Sequence, residues 1–221
     1  MEYTMERGKQ LYKAKRYALA LREFKSIDQD PAENPEVAYY IGLCYTQLEQ
    51  WDQALFYLEQ VINSEFSFMH NYQCRMVLGY IYSVTGRYKL AEYEFKKLTE
   101  FGMESTQVFA SLGYVAYSQR RVEESIDYLQ QALAIKPEYA NALNSLGYIY
   151  AEEEIDIPKA ITLCRKAVQQ QPDNPAYLDS LGWAYYKAGR LEQSGSCLRK
   201  ALDLQPGDKE IAGHMRVVIK A

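Results

Sequence analysis

Histidine, cysteine and proline are scarce in this chain of 221 residues, which has 2 His, 4 Cys and 7 Pro. The two histidines, His70 and His214, are far apart in sequence, which disfavours a multi-histidine metal site or a histidine-based triad. No cysteines form a CxxC pair, so we interpret all four as buried, reduced thiols. Neither a phosphate-binding glycine loop nor a dinucleotide-binding motif is present. We therefore expect no catalytic residues, no metal site and no cofactor.

Long apolar runs are missing as well. No segment approaches the roughly 18 consecutive apolar residues of a membrane-spanning helix, and the start, MEYTMERGKQ, lacks the apolar core of a signal peptide. The 25 Lys and Arg against 29 Asp and Glu give a net charge of −4, which disfavours a generic phosphate-backbone binder. We expect a cytoplasmic protein without membrane insertion or nucleic-acid binding, although a removed leader would leave no trace here.

What the chain has in abundance is tyrosine, 21 residues of it, and a repeating pattern of glycines. Six glycines have near-identical neighbours and are separated by 34, 37, 34, 34 and 35 residues. A period in this range is typical of stacked repeat architectures. The glycines are Gly8, Gly42, Gly79, Gly113, Gly147 and Gly182.

Each glycine belongs to one helical stripe, because mostly apolar residues stand four and one before it and three after it. A glycine there lets a second helix approach closely, which offsets its helix penalty of about 1 kcal/mol. A second stripe follows, beginning with a small residue such as Ala20, Ala54 or Ser125. Prolines at the expected ends of three second helices support this assignment: Pro137, Pro172 and Pro206. In the fifth repeat the second stripe is one residue late, which predicts an extra residue within 152–158.

At these positions the chain resembles the tetratricopeptide repeat (TPR) family, and repeats five and six are similar to those of bacterial TPR proteins. The resemblance implies an all-α fold without strands, a right-handed superhelical α-solenoid of six helix-turn-helix repeats. The repeats are expected at about 1–34, 35–71, 72–105, 106–139, 140–174 and 175–208. Segment 209–221 is predicted to be a C-terminal capping helix over the second helix of repeat six, with Ile211, Met215, Val218 and Ile219 on one stripe.

One spacing, the 37 residues between Gly42 and Gly79, is irregular. Three residues are added around 64–72. They indicate either a longer loop or early start of the next helix, or a hinge that separates repeats one and two from the rest.

The first helices of TPR repeats line a concave groove, which the resemblance implies here too. A stripe about 100° round the helix from the packed one would face this groove. It carries an aromatic residue in four successive repeats, with amides and hydroxyls between them. Aromatic anchors bury a large area at low entropic cost, while amides pair with a peptide backbone. The candidate partner-binding residues are Gln73, Met76, Tyr80, Gln107, Ser111, Tyr114, Asn141, Asn144, Tyr148 and Trp183.

We therefore predict a non-enzymatic protein–protein interaction scaffold or adaptor that binds a peptide or helical segment of a partner in the groove. The positions that form a basic carboxylate clamp in chaperone-binding TPRs hold no Lys in repeats two to five, so an acidic C-terminal tail is not expected. Two alternatives stay open. One is a structural component that self-associates, as a homo-oligomer, or assembles a larger complex through convex and terminal surfaces. The other is the non-catalytic TPR segment of a longer protein.

Overall fold

Thirteen α-helices and no strand make up the residues that the computed structural model describes, which are 2–27, 30, 33–62 and 68–221. The chain divides into two compact units, Met1–Glu104 and Ser105–Ala221. The all-α class and the number of helices are as predicted. No described helix has the combination of length and apolar character that crossing a bilayer would require.

Unit 1 contains three antiparallel helix pairs, α1–α2, α3–α4 and α5–α6. Each first helix also packs against the second helix of the pair before it. The bounds are α1 (Glu2–Lys13), α2 (Tyr17–Lys25), α3 (Pro35–Gln47), α4 (Trp51–Ile62), α5 (Phe68–Val84) and α6 (Tyr88–Glu100).

Unit 2 contains three further pairs, α7–α8, α9–α10 and α11–α12, and one last helix. Its first helices α7, α9 and α11 also contact one another in order, and the later residues of the candidate stripe belong to them. The bounds are α7 (Thr106–Ser118), α8 (Val122–Ile135), α9 (Ala140–Glu152), α10 (Ile157–Gln170), α11 (Pro175–Lys187), α12 (Leu191–Leu204) and α13 (Lys209–Lys220).

The stripe glycines lie where the two helices of a pair cross. A Cβ atom on Gly113 would lie 2.7 Å from Cγ of Leu129, and one on Gly182 would lie 2.8 Å from Cγ of Leu198. The small residue that starts the second stripe is fully buried at the same crossing, as Ser125 shows by hydrogen bonding to the Gly113 carbonyl at 2.7 Å. The predicted close approach of the paired helices is confirmed.

The turn inside each pair contains one residue with left-handed backbone, seven positions after the stripe glycine. Only two of the six are glycine, so four turns hold a side chain in a conformation that L-residues rarely adopt. These residues are Lys15, Glu49, Gly86, Arg120, Glu154 and Gly189. Since Glu154 keeps the common spacing, the predicted extra residue of the fifth pair lies after it, at 155–156.

Helix ends follow the predicted signals. The second helices α8, α10 and α12 each end two residues before a proline, at Pro137, Pro172 and Pro206, because proline cannot continue the backbone hydrogen bonding. Two first helices of unit 2, α7 and α11, start at side-chain caps, which were not predicted. At the start of α11, Oδ1 of Asn174 accepts from the backbone N–H of Ala176 at 3.1 Å.

The irregular spacing before Gly79 coincides with a longer helix. α5 has 17 residues, whereas α3, α7, α9 and α11 have 13, which agrees with an early helix start. A hinge was the other alternative for the segment 64–72, and its remaining residues, 64–67, lie outside the described residues. The boundary between the two compact units falls elsewhere, between Glu104 and Ser105.

Helix α13 packs on α12, as predicted, and also on α11. Ile211 and Val218 are buried in a cluster with Leu178, Leu198 and Ala201. The expectation for the fourth stripe residue, Ile219, is wrong, since 75% of it is exposed. It follows Val218 by one residue and therefore points about 100° away from the packed face.

Three of the four cysteines are buried as expected, while Cys197 is only half-buried. Burial raises the pKa of the Cys44 and Cys74 thiols to about 12. These thiols are therefore protonated at neutral pH and act as small apolar side chains.

Replacing Gly182 with alanine should destabilise the protein by about 1–3 kcal/mol, because the new Cβ would overlap Leu198 at the helix crossing. The matched control is Gly195→Ala in α12, where the new Cβ meets only Nη2 of Arg199 at 3.8 Å. That change should stabilise the helix by up to about 1 kcal/mol. Urea denaturation followed by circular dichroism measures both, and equal effects of the two substitutions would contradict the packing account.

Candidate functional site

In unit 1 the candidate residues lie on α5 and are partly engaged with their neighbours. Gln73 is exposed, but its Oε1 accepts a hydrogen bond from the Tyr39 hydroxyl at 2.6 Å. Met76 is half-buried. Tyr80 remains 51% exposed and meets Trp51 edge to face, with ring centroids 6.4 Å apart.

In unit 2 the stripe begins on α7. Gln107 is exposed, Ser111 is half-buried, and the Tyr114 ring is 50% exposed. Tyr117, one turn further on, was not among the predicted residues. Its hydroxyl donates to Oε1 of Glu153 at 3.2 Å, and its ring meets Tyr148 at 6.2 Å in an edge-to-face contact.

The stripe continues on α9 with two asparagines that differ in their hydrogen bonding. Oδ1 of Asn141 accepts a hydrogen bond from the Tyr177 hydroxyl of α11. Oδ1 of Asn144 is buried, yet it has no hydrogen-bond partner among the described residues. An unpaired buried carbonyl is costly, so Asn144 is suited to a donor group on a ligand.

Trp183, on α11, was expected to present its ring to a ligand as the other aromatic residues of the stripe do, but it is buried. It exposes only 9% of its surface, because His214 of α13 stacks on it with ring centroids 4.2 Å apart. Its indole Nε1 donates to Oε2 of Glu152 at 2.7 Å, and Tyr186 stacks on the same ring system at 4.9 Å. Helix α13 therefore occupies the surface that the Trp183 side chain was expected to offer.

His214 fixes α13 to α11 through an ion pair. Its Nδ1 lies 2.9 Å and 3.0 Å from the two carboxylate oxygens of Asp179, and both side chains are largely buried. Burial by itself lowers the pKa of His214, but the hydrogen bond and charge of Asp179 outweigh it, with smaller contributions from Glu210 and Glu152. The pKa of His214 is therefore raised, which favours a charged imidazolium in this position.

A cavity of about 460 Å³ lies within unit 2, between α7, α9, α11 and the start of α13. This volume is within the range of ligand-binding pockets. Three predicted residues line it, Tyr114, Asn144 and Tyr148. The carboxyl side chains of Asp179 and Glu210 line it as well.

The electrostatic environment of the cavity is negative. Burial raises the pKa of the Tyr148 hydroxyl, and the nearby carboxylates of Glu152, Glu210 and Asp179 raise it further. A phenol that is this hard to ionise stays a neutral hydrogen-bonding group at physiological pH.

Asp179, Glu210 and His214 also offer three ligand atoms within 4.8 Å of one another. One imidazole and two carboxylates are donors that Zn²⁺ accepts. In this structure Nδ1 of His214 is hydrogen-bonded to both oxygens of Asp179, so we interpret the group as an ion pair with a flanking carboxylate.

The sequence alone did not predict that Asp179, Glu210 and His214 meet. Glu210 and His214 are four residues apart on one face of α13, which is visible in the sequence. Their target, Asp179, lies 35 residues before His214, and only the packing of α13 across α11 brings the groups together.

Comparison with known proteins agrees with the repeat pattern. Sequence models described as tetratricopeptide repeat match residues 36–65, 111–175 and 175–208. The chain therefore belongs to the tetratricopeptide repeat family. The TPR repeat-containing protein PA4667 of Pseudomonas aeruginosa is 41% identical over 87 residues, which are 39% of this chain and 15% of that protein. The chain spans less than half the length of the first curated relatives that it matches.

Solved structures show the same fold at low sequence identity. One chain of the APC/C hetero-tetramer Cut9–Hcn1 superimposes with a TM-score of 0.82 at 16% identity, and the match covers 98% of this chain and 42% of that one. YrrB, described as a TPR protein with an unusual peptide-binding site, has a TM-score of 0.56 at 21% identity, covering 81% of this chain and 91% of that one. At these identities the likeness establishes the all-α TPR solenoid fold.

The His214–Asp179 pair makes a pH-dependent contribution to stability. Because the pKa of folded His214 is raised above 6.5, this stabilisation is complete below that pH and is lost as pH rises through the folded pKa. The free energy of unfolding of the wild type should therefore fall towards that of His214→Gln as the pH is raised. Urea titrations of both proteins at a series of pH values from below 6.5 upwards measure the difference in their free energies of unfolding. A difference that does not change with pH would contradict the ion pair.

Proposed function

We propose that this chain is a non-catalytic interaction scaffold, and that unit 2 binds a peptide or helical segment of a partner protein on the face formed by α7, α9 and α11. The single observation that supports this most is the cavity of about 460 Å³ on that face, lined by Tyr114, Asn144 and Tyr148. Three candidate residues chosen for peptide contact thus border one pocket.

The side chains have the properties that peptide binding needs. Tyr114 is half exposed, and a tyrosine ring buries a large area with only two torsions to immobilise. Asn144 presents a buried carbonyl oxygen without a partner among the described residues, and a peptide N–H would satisfy it. The pocket therefore combines aromatic anchors with an acceptor for the main chain.

The structure limits where the segment would bind. Trp183 is covered by His214, and Asn141 is engaged by Tyr177, so we assign them to packing within unit 2. The proposed contact residues are Gln107, Ser111, Tyr114, Asn144 and Tyr148, with Tyr117 added. On α5, Tyr80 and Met76 remain candidates for a separate contact.

We also propose the six-repeat assignment, which the six helix pairs support.

The double substitution Tyr114→Ala and Tyr148→Ala should abolish peptide capture. A random-peptide phage library selected on the wild-type chain provides the probe, and an enriched peptide is then labelled with fluorescein for anisotropy measurements. Loss of two aromatic anchors of about 2 kcal/mol each should weaken binding by more than roughly a hundredfold.

The matched control is Tyr93→Ala, because Tyr93 is 53% exposed but lies on the second helix α6 of unit 1. It should bind like the wild type. Tyr114→Ala alone replaces an exposed ring, so it tests the same face even if the double variant melts at lower temperature by circular dichroism. No enriched peptide, or undiminished binding by a folded Tyr114→Ala variant and the double variant, would exclude this function.

A further inference from the structure

The charged side chains that line the cavity of unit 2 are all acidic. They are Asp179, Asp208 and Glu210, and neither lysine nor arginine is among the described lining residues. Two more carboxylates stand close by, since Glu152 accepts from Trp183 and Glu153 accepts from Tyr117. A pocket whose charges have one sign favours a ligand group of the opposite sign.

Contacts within unit 2 compensate part of this negative charge. Asp179 is paired with His214. Asp208 caps α13 by accepting from the backbone N–H groups of Glu210 and Ile211, at 2.9 Å and 3.1 Å. The Glu210 carboxylate is exposed and lies within 4.8 Å of the His214 imidazole, so the two charges partly offset each other. Glu210 forms no direct ion pair with a described side chain, and it can therefore still pair with a cation that enters the cavity.

The nearby lysine does not supply a counter-charge to Glu210. Lys187 lies on α11, and its Nζ is 3.0 Å from Oε1 of Glu154 and 5.5 Å from the centre of the Trp183 ring. That contact lies at the turn between α9 and α10, and Lys187 is not a lining residue of the cavity.

The other walls are aromatic or amide groups that suit a cation. Tyr114, Tyr117 and Tyr148 also line the cavity, and a cation within about 6 Å of an aromatic face is attracted by the ring quadrupole. The unpartnered Oδ1 of Asn144 can accept a hydrogen bond from an N–H donor. Guanidinium and ammonium groups carry only donors and a positive charge, so they match each wall.

We propose that this cavity binds the cationic end of an arginine or lysine side chain, with Glu210 forming the ion pair, the tyrosines flanking the aliphatic stem and Asn144 accepting an N–H. This proposal rests on the proposed function, because the cation would belong to the bound segment, and it identifies that segment as basic. The cavity volume of about 460 Å³ accommodates such a side chain.

The test uses small probes that need no knowledge of the partner. Nα-acetyl-arginine amide and Nα-acetyl-lysine amide are titrated into the ¹⁵N-labelled full chain, with EDTA present, and Nα-acetyl-norleucine amide serves as the uncharged analogue. The backbone amide signals of Asn144, Tyr148 and Glu210 should shift saturably with one or both cations and not with norleucine. The two cationic titrations distinguish arginine from lysine.

Glu210→Gln should weaken binding of the cationic probe by roughly three- to tenfold, because it removes the charge-assisted contact but keeps the size of the side chain. The matched control is Glu192→Gln, which also removes an exposed carboxylate from the first turn of a helix, α12, away from the cavity. It should leave the affinity unchanged.

The proposal would be overturned if the norleucine probe shifted the amide signals as much as the cationic probes do. It would also be overturned if Glu210→Gln and Glu192→Gln lost equal affinity for the cationic probe, or if Glu210→Gln kept full affinity. The outcome is separable from that of the peptide selection. If the basic residues of a selected peptide can be replaced by glutamine without loss of affinity, only the cation pocket is excluded. If arginine or lysine binds saturably but no peptide is enriched, only the proposed function is excluded.

Discussion

The rest of the structure depends on the close crossing of two helices within each pair. In five of the six pairs a glycine without a side chain faces Phe or Leu at that point, for example Gly113 against Leu129, and in the fifth pair Gly147 faces Cys164. The crossing sets how far apart the two helices lie, so it also sets which residues remain outside the pair. Because the crossing recurs, the residues one position after each glycine recur as well, and Tyr114 and Tyr148 occupy them in unit 2.

The second constraint is local to the end of the chain. Helix α13 buries Ile211 and Val218 against α11 and α12, and the same docking places His214 on Trp183 and beside Asp179. The apolar packing of Ile211 and Val218 therefore also brings His214 to Asp179. The start of α13 then forms a wall of the cavity, so a helix predicted to act only as a cap also shapes the candidate site.

Much of the fold could be predicted from residue spacing because the responsible interactions are local. Glycine on an apolar stripe, proline after a second helix and one late stripe in the fifth repeat each predicted a feature of the helices correctly. Ile219 was assigned wrongly because the spacing of a short helix does not determine which side packs. The candidate site was predicted less completely: the stripe through Tyr114, Asn144 and Tyr148 borders a cavity, while Trp183 is covered and Asn141 and Gln73 bond to neighbouring tyrosines.

The repeating helix pairs follow from the amino-acid pattern alone, since helix formation and the glycine crossing depend on residues within a few turns of one another. That pattern also determined that aromatic and amide side chains recur on one stripe. Which of these side chains stay exposed, and which carboxylates lie near them, depends on how the helices of unit 2 pack together. Asp179 and His214 are 35 residues apart, and their contact depends on the angle at which α13 lies on α11, a quantity that no local pattern encodes.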